Sequence, residues 1–485
     1  MSGGELKDKI ATGVAWSISE KIGSMLLQMA VSIIVARLLM PEDIGVMALL
    51  TFFTSVALVI VDSGFSQTLI RKQNPTPRDY SSVFVFNMVM SAALYALLVA
   101  AAPAVAAFYD KPIITEIAPV LFLLLPINAL CVIQNTICIR QFRFGLLSRI
   151  TFTSSLAGGA AAIAMALAGC GVWSLVGQRL TAMATKTLIL WLCGNWRPAV
   201  CISFAPISSM APFSFRLLAT DMITAIYNNI SQIFIGKIYS TDALGYFNQA
   251  QKFKDLPLTS AMQSVQSVTY PALSKIGGNT VRLAESYRQI FMVTAFALFP
   301  IMTGIIAVAD DMFALLLGEK WMPTVPYLRI LCLTGLFQPL AAIAYNILKV
   351  KSDGRVILRL EIVKKIIMTA ILAATIPHSI TAVAWGLVVM SFTEFAVNFA
   401  ASTRYAPLSA SKAARTLLPV ILLTAAMYVS VVFVGRYITD LGTGLRLIIK
   451  IATGIAVYVS LAFLCGMEAA KEIREIAGKV FGRRQ

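Results

Sequence analysis

Residues 44–61, IGVMALLTFFTSVALVIV, decide the fold, because no charged side chain interrupts them. A helix needs about 20 largely apolar residues to cross the hydrocarbon core of a bilayer. The apolar stretch continues to residue 70 with Asp62 as its only charge. The whole chain is similar: 58% of its residues are hydrophobic and 13% are charged, whereas an average soluble domain has about 25% charged residues. The sequence therefore predicts an all-α polytopic membrane protein.

Reading outward from this stretch, the sequence predicts fourteen transmembrane helices. The first, seventh and eighth are weakly apolar because polar residues interrupt them. The expected spans are 10–38, 44–70, 81–108, 114–138, 148–169, 171–193, 212–239, 245–274, 283–308, 323–348, 356–376, 379–403, 413–435 and 444–466.

Lysine and arginine in the short loops predict the orientation, since cytoplasmic loops are enriched in both residues. With an even number of spans both termini lie on one side, and most of the basic residues fall in the loops and tails of that side. The opposite loops and their flanks hold only Arg37, Lys111, Lys237, Lys320, Arg329, Arg436, Arg446 and Lys450. We expect both termini in the cytoplasm, and we explain much of the net charge of +17 by topology rather than by nucleic-acid binding.

An internal repeat divides the chain. IIVARLLMPEDIG (33–45) aligns with IFIGKIYSTDALG (233–245) without a gap, which matches Gly45 with Gly245. Two further matches follow in the same order: residues 118–121 with 325–328, and 173–176 with 385–388. The repeat is six spans long, so its halves share one orientation and are predicted to be parallel repeats about an axis along the membrane normal.

This repeat predicts four segments. Two six-helix lobes are related by a pseudo-two-fold axis, two further helices follow them, and a basic tail ends the chain. The expected boundaries are 1–200, 201–405, 406–467 and 468–485.

Several stretches resemble the polysaccharide transporter family, a branch of the multidrug/oligosaccharidyl-lipid/polysaccharide exporter superfamily that includes the Wzx-type flippases. They are NNISQIFIGKIYSTDALGYFNQAQKFKDLP (228–257), GEKWMPTVPYLRIL (318–331), IRQFRF (139–144) and GCGVWSLVGQ (169–178). The resemblance implies a two-lobed transporter of twelve core helices plus two. It implies flipping of an undecaprenyl-pyrophosphate-linked oligosaccharide from the inner to the outer leaflet of the bacterial cytoplasmic membrane. Membrane lipid, and possible polymerase and glycosyltransferase machinery, are the expected partners.

Charged residues at membrane depth are the candidates for the substrate site, because a charge is costly there. The weak first, seventh and eighth spans and the sixth span supply them. The candidates are Glu20, Lys21, Arg179, Lys186, Arg216, Asp221, Lys252 and Asp255. Pairing within a lobe is the structural alternative for each residue. Cationic groups at this depth suit a pyrophosphate, and Lys21 and Lys252 are expected to face a central, basic cavity.

Other functions stay open or are disfavoured. A multidrug antiporter of the same superfamily would need an acidic cavity, and a peptidoglycan-precursor flippase is chemically closer. A membrane polymerase or ligase is expected to have a large external loop, whereas the predicted loops are short, so we expect no enzyme. The seven cysteines are scattered without a CxxC motif, which predicts neither a metal site nor a cofactor. Proton or sodium antiport and drive by the membrane potential both remain open.

The topology can be tested with reporter fusions. Fusions after residues 76 and 352 should read as cytoplasmic, and a fusion after residue 316 should read as external, because the basic loops stay inside. Paired phosphatase and fluorescent-protein activities measure both outcomes. A reversed signal at any of these positions contradicts the fourteen-span topology.

Overall fold

The computed structural model describes residues 23–62, 64–199, 204–276, 280–352 and 354–467. Within these ranges the secondary structure is helical and contains no strand. A short 3₁₀ helix, Glu319–Thr324, precedes α12. The α-helices are α1 (Gly23–Leu38), α2 (Pro41–Asp62), α3 (Phe65–Arg71), α4 (Pro77–Tyr109), α5 (Ile113–Leu121), α6 (Leu124–Arg140), α7 (Phe144–Leu167), α8 (Trp173–Cys193), α9 (Phe204–Ile238), α10 (Thr241–Ile276), α11 (Thr280–Leu316), α12 (Val325–Lys351), α13 (Gly354–Thr375), α14 (Ile380–Ser402), α15 (Ala410–Tyr437) and α16 (Thr443–Leu464).

Nine spans in the described part of the chain are long and apolar enough to cross a membrane. They are α2 with α3, α4, α5 with α6, α7, α11, α12 with its 3₁₀ turn, α14, α15 and α16. The protein is therefore a multi-pass membrane protein, while the count of fourteen spans stays a prediction. The sequence predicts weak apolar character for α9 and α10, and α8 and α13 also fall outside the nine. Charged side chains such as Lys186 in α8 and Lys364 in α13 lower their hydropathy.

Two of the predicted spans are broken helices. The second span divides into α2 and α3 at Gly64, whose φ of 68° is readily adopted only by glycine. The fourth divides into α5 and α6 just before Pro126, which lies in the first turn of α6. Proline has no N–H to donate, so it is tolerated in a first turn but disrupts a helix interior.

The described residues pack as two compact units, which divide between Asn248 and Gln249 inside α10. The first unit contains α1 to α9, with α9 packed against α2 and α4. The second contains α11 to α16. The lobe boundaries inferred from the repeat, including the one at residue 200, stay a prediction.

Ion pairs in the first unit join loops that the sequence predicts on one side of the membrane. Lys111 contacts Glu42, and Lys237 lies 3.6 Å from Asp110, so three loops predicted to be external lie together. One loop predicted to be cytoplasmic is held by an ion pair and a helix cap. Asp79 pairs with Lys72 at 2.7 Å, and it completes a capping box with Thr76 at the start of α4.

The amino-terminal ends of α2 and α10 cross at the two matched glycines of the sequence repeat. A Cβ atom on Gly45 would overlap the carbonyl of Thr241, and a Cβ atom on Gly245 would overlap the carbonyl of Pro41. Pro41 and Thr241 are also equivalent in the repeat, so the contact is reciprocal. Reciprocal contacts are typical of a two-fold relation. This local contact favours the predicted repeat, while the relation between two whole lobes stays a prediction.

Alanine at Gly45 should therefore destabilise the protein, because the new methyl group meets backbone that cannot rotate away. We expect Gly45→Ala to lower both the thermal midpoint in detergent and the yield of monodisperse protein. Gly304→Ala is the matched control: nothing lies within 4 Å of a Cβ there, and alanine is a better helix former than glycine by about 1 kcal/mol. Equal thermal midpoints for the two variants would contradict the close crossing.

The second unit has an aromatic core and one buried ionic cluster. Its core includes Tyr287 and Phe291 of α11. Asp311, near the end of α11, has a side chain only 2% exposed. Its two carboxylate oxygens accept hydrogen bonds of 2.5 Å from Arg446 Nε and Lys450 Nζ of α16. Asp311 therefore links α11 to α16 through two ion pairs.

Neutralising Asp311 should cost far more stability than neutralising its neighbour Asp310. Asp311→Asn leaves two mostly buried cations without their carboxylate, a loss of about 3 kcal/mol or more. Asp310 pairs with Arg329, but their side chains are 50% and 42% exposed, so Asp310→Asn should cost about 1 kcal/mol or less. Thermal unfolding of both variants in the same detergent measures the difference. Equal midpoints would show that the ion pairs of Asp311 do not stabilise the packing of α16 on α11.

Candidate polar cavity of the first unit

A cavity of about 610 Å³ lies in the first unit, next to the break between α2 and α3. Its walls come from α2, α3, α6, α8 and α9. The polar lining residues are Asp62, Ser66, Gln67, Asn128, Asn135, Thr136, Lys186, Asp221, Thr224 and Asn228. Polar side chains and an interrupted helix are tolerated at membrane depth where they line a cavity or are buried in protein, so the break and the cavity belong together.

The break places Asp62 at the cavity. Asp62 is the last residue of α2, and its carboxylate accepts a short hydrogen bond from Ser66 Oγ of α3. Gly64 permits the turn between them, and a Cβ atom at Gly64 would overlap the carbonyl of Ser214 in α9. Thr68 and Ser214 are joined by a buried hydroxyl–hydroxyl hydrogen bond of 2.8 Å. The close approach of α9 therefore fixes α3 and, through it, Asp62.

Three charged side chains line this cavity in the described part of the chain: Asp62, Lys186 and Asp221. Asp221 of α9 is close enough to repel Asp62 electrostatically. Lys186 and Asp62 both interact electrostatically with Cys131 of α6, so α8 brings its lysine to the same region. Two carboxylates and one ammonium group give the described lining one net negative charge.

Amide side chains complete the lining at helical spacing. Asn128 and Asn135 are seven residues apart on α6, and Asp221, Thr224 and Asn228 follow one face of α9. Residues three, four and seven apart lie on the same face of a helix. An asparagine side chain offers both donors and an acceptor, which suits a solute rich in hydroxyl groups.

The structure brings together only part of the predicted site. Lys186 and Asp221 line the cavity. Arg179, two turns before Lys186, donates a hydrogen bond of 2.9 Å to Thr51 Oγ1 of α2. Arg216 is exposed on α9 and is not in the lining.

Two of the remaining predicted residues, Lys252 and Asp255, lie on α10. Lys252 is exposed on α10, in the second unit. Asp255 pairs at 2.8 Å with Lys254, whose side chain is only 7% exposed. Of these two neighbouring lysines, Lys254 rather than Lys252 is therefore the buried one. Glu20 and Lys21 lie outside the described residues.

Three lining residues are not among those predicted from the sequence: Asp62, Asn128 and Asn135. A signal for Asp62 existed, since it is the only charge between residues 44 and 70. The two asparagines had none, because an amide in a mostly apolar span is compatible with helix packing as well as with a cavity.

A family model described as "Polysaccharide biosynthesis protein" matches residues 34–326, more than half of the chain. The chain belongs to this polysaccharide biosynthesis protein family. The matched region includes all the described residues that line the cavity. The predicted resemblance to polysaccharide transporters is thereby confirmed.

Two relatives agree with this assignment, and one solved structure has a similar fold. The chain is 25% identical over 420 residues to the teichuronic acid biosynthesis protein TuaB of Bacillus subtilis, covering 84% of this chain and 86% of that protein. It is 23% identical to the succinoglycan biosynthesis transport protein ExoT of Rhizobium meliloti, covering 68% and 67%. The lipid II flippase MurJ, in an inward closed conformation, has a similar fold with a TM-score of 0.73 and 13% identity, covering 94% and 98%.

The family match and the apolar helices together establish a multi-pass membrane protein of the polysaccharide biosynthesis protein family. One of the relatives is named a transport protein, and the solved structure with a similar fold is a flippase. A cavity with charged and amide side chains inside such a helical fold is a candidate for the path of a polar solute.

Proposed function

We propose that the protein flips a lipid-linked oligosaccharide from the inner to the outer leaflet of the bacterial cytoplasmic membrane by alternating access. The observation that carries this proposal is the polar cavity of the first unit, within a member of the polysaccharide biosynthesis protein family. An undecaprenyl-pyrophosphate-linked oligosaccharide is the substrate, and its glycan is made by glycosyltransferases and lengthened by a polymerase. Both termini lie in the cytoplasm.

The cavity has the size and chemistry for a polar headgroup. Its volume of about 610 Å³ falls within the range of pockets that hold small molecules, about 300–1,000 Å³. Asn128, Asn135 and Asn228 offer hydrogen bonds to sugar hydroxyls, and Lys186 offers a charge-assisted hydrogen bond to a phosphate oxygen.

The two carboxylates suggest a second role for the cavity. Two neighbouring carboxylates repel each other when both are ionised, and a bound proton or cation relieves that repulsion. We propose that Asp62 and Asp221 bind the coupling proton or sodium ion. The membrane potential assists as well, because moving one negative charge outward releases about 2.3 kcal/mol per 100 mV.

Substitutions in the cavity test this assignment. In a strain lacking the gene, Lys186→Ala, Asp62→Asn and Asp221→Asn should each reduce surface polysaccharide by about tenfold or more, as the loss of about 1.4 kcal/mol of interaction would do. Lys186→Arg keeps the charge and should restore part of the export. Asp440→Asn, in an exposed loop, is the control and should export normally. Protein abundance in the membrane is measured for every variant.

Normal export by all three cavity variants would show that the substrate does not bind in this cavity. The flippase proposal itself has a separate test. Deleting the gene should leave lipid-linked oligosaccharide in the inner leaflet, where a membrane-impermeant lectin cannot reach it in spheroplasts. Lectin labelling at the wild-type level in the deletion strain would contradict the flippase function.

A peptidoglycan-precursor flippase is the second candidate, favoured by the similarity of the fold to MurJ over 94% of this chain. Expression in cells depleted of their own lipid II flippase distinguishes the two. Rescue of growth would support the second candidate, whereas restored surface polysaccharide without rescue supports the first.

A further inference from the structure

A basic groove of about 420 Å³ lies in the second unit, where α11 and α15 meet the end of α16. Three cations line it: Arg288 of α11, and Lys412 and Arg415 of α15. Apolar side chains line it as well, among them Met292 and Pro419. The groove belongs to a different unit from the polar cavity, and its function does not depend on the proposed transport.

The described lining of the groove contains three cations and no carboxylate. Glu285 pairs with Arg288 at 2.8 Å and also interacts electrostatically with Lys412. Among the described residues, the three cations of the lining and Glu285 together carry an excess of two positive charges. Among the residues that the structure describes, neither Lys412 nor Arg415 forms an ion pair.

The start of α15 adds to this positive potential. Ser409 caps the helix, and the first turn contains Lys412 but no acidic residue. The amino-terminal end of a helix carries a partial positive charge, so a cation there is unfavourable and an anion is favourable. An anion bound between Lys412, Arg415 and Arg288 would reverse this unfavourable arrangement.

The groove leads onto an apolar surface. Leu418 and Leu422 lie on one face of α15 with exposed fractions of 53% and 61%, and Leu464 at the end of α16 is 82% exposed. Such side chains face acyl chains in a bilayer. A ligand that fits this region combines an anionic group with apolar chains.

We propose that this groove binds the phosphate of an anionic phospholipid, with phosphatidylglycerol as the test ligand. Arg288, Lys412 and Arg415 hold the phosphodiester, and the acyl chains lie along Leu418 and Leu422. Arginine and lysine form strong charge-assisted hydrogen bonds with phosphate oxygens, and basic pockets between transmembrane helices bind anionic headgroups. The bound lipid would tie α11 to α15 on the side predicted to be cytoplasmic.

Native mass spectrometry of the full-length protein in detergent tests this site. Phosphatidylglycerol should bind at least about tenfold more tightly than phosphatidylcholine with the same acyl chains, because only the former carries a net charge. The double variant Lys412→Gln/Arg415→Gln should lose this preference. The matched control is Arg359→Gln/Arg404→Gln, which removes two exposed cations of the same unit outside the groove, and it should keep the preference.

Thermal unfolding with and without added lipid completes the test. Phosphatidylglycerol should raise the midpoint of the wild type and of the control, but not that of the groove variant. Equal stabilisation by inorganic phosphate would show that a free anion suffices and would overturn the lipid assignment. If the groove variant is less stable than the wild type by the same amount with and without lipid, the two cations stabilise the protein independently of lipid, which also contradicts the proposal.

Discussion

Hydrocarbon cannot solvate a charge or an unpaired backbone group, so each such group in this protein needs a partner from the protein or a water-filled space. The break between α2 and α3 shows how this constraint acts. Gly64 ends the regular helix, Ser66 donates a hydrogen bond to Asp62, and Thr68 bonds to Ser214 of α9. A carboxylate and an irregular backbone therefore occur together, against the helix that also supplies Asp221.

The same constraint has a different result in the second unit. Asp311 is almost completely buried, and two cations of α16 neutralise it, so its charge serves packing. Lys412 and Arg415 lie at the opposite end of that unit's helices from Asp311, near the predicted cytoplasmic surface, where anionic headgroups are available. A buried charge that is fully paired is best explained by structure, whereas a cluster with excess charge indicates a ligand.

The charge of the polar cavity changes the chemistry expected from the sequence. A basic cavity would bind pyrophosphate through several cations, but the described lining combines Lys186 with Asp62 and Asp221. In the proposed function, Lys186 meets the anionic headgroup and the two carboxylates meet the coupling cation. Because two carboxylates line the cavity, its charge no longer disfavours cation-coupled transport. The family and the asparagine side chains are therefore the stronger support for a saccharide substrate.

The sequence by itself determined the all-helical membrane fold, the polysaccharide transporter family and most of the described helix ends to within a few residues, because the length of an apolar run is a local pattern. It did not predict the two broken spans, the start of α9 at Phe204 or the end of α11 at Leu316. It also identified Lys186 and Asp221 as costly charges. Tertiary structure alone decided which charges meet. Arg179 of α8 bonds to Thr51 of α2, since side chains far apart in the sequence become neighbours only when helices pack.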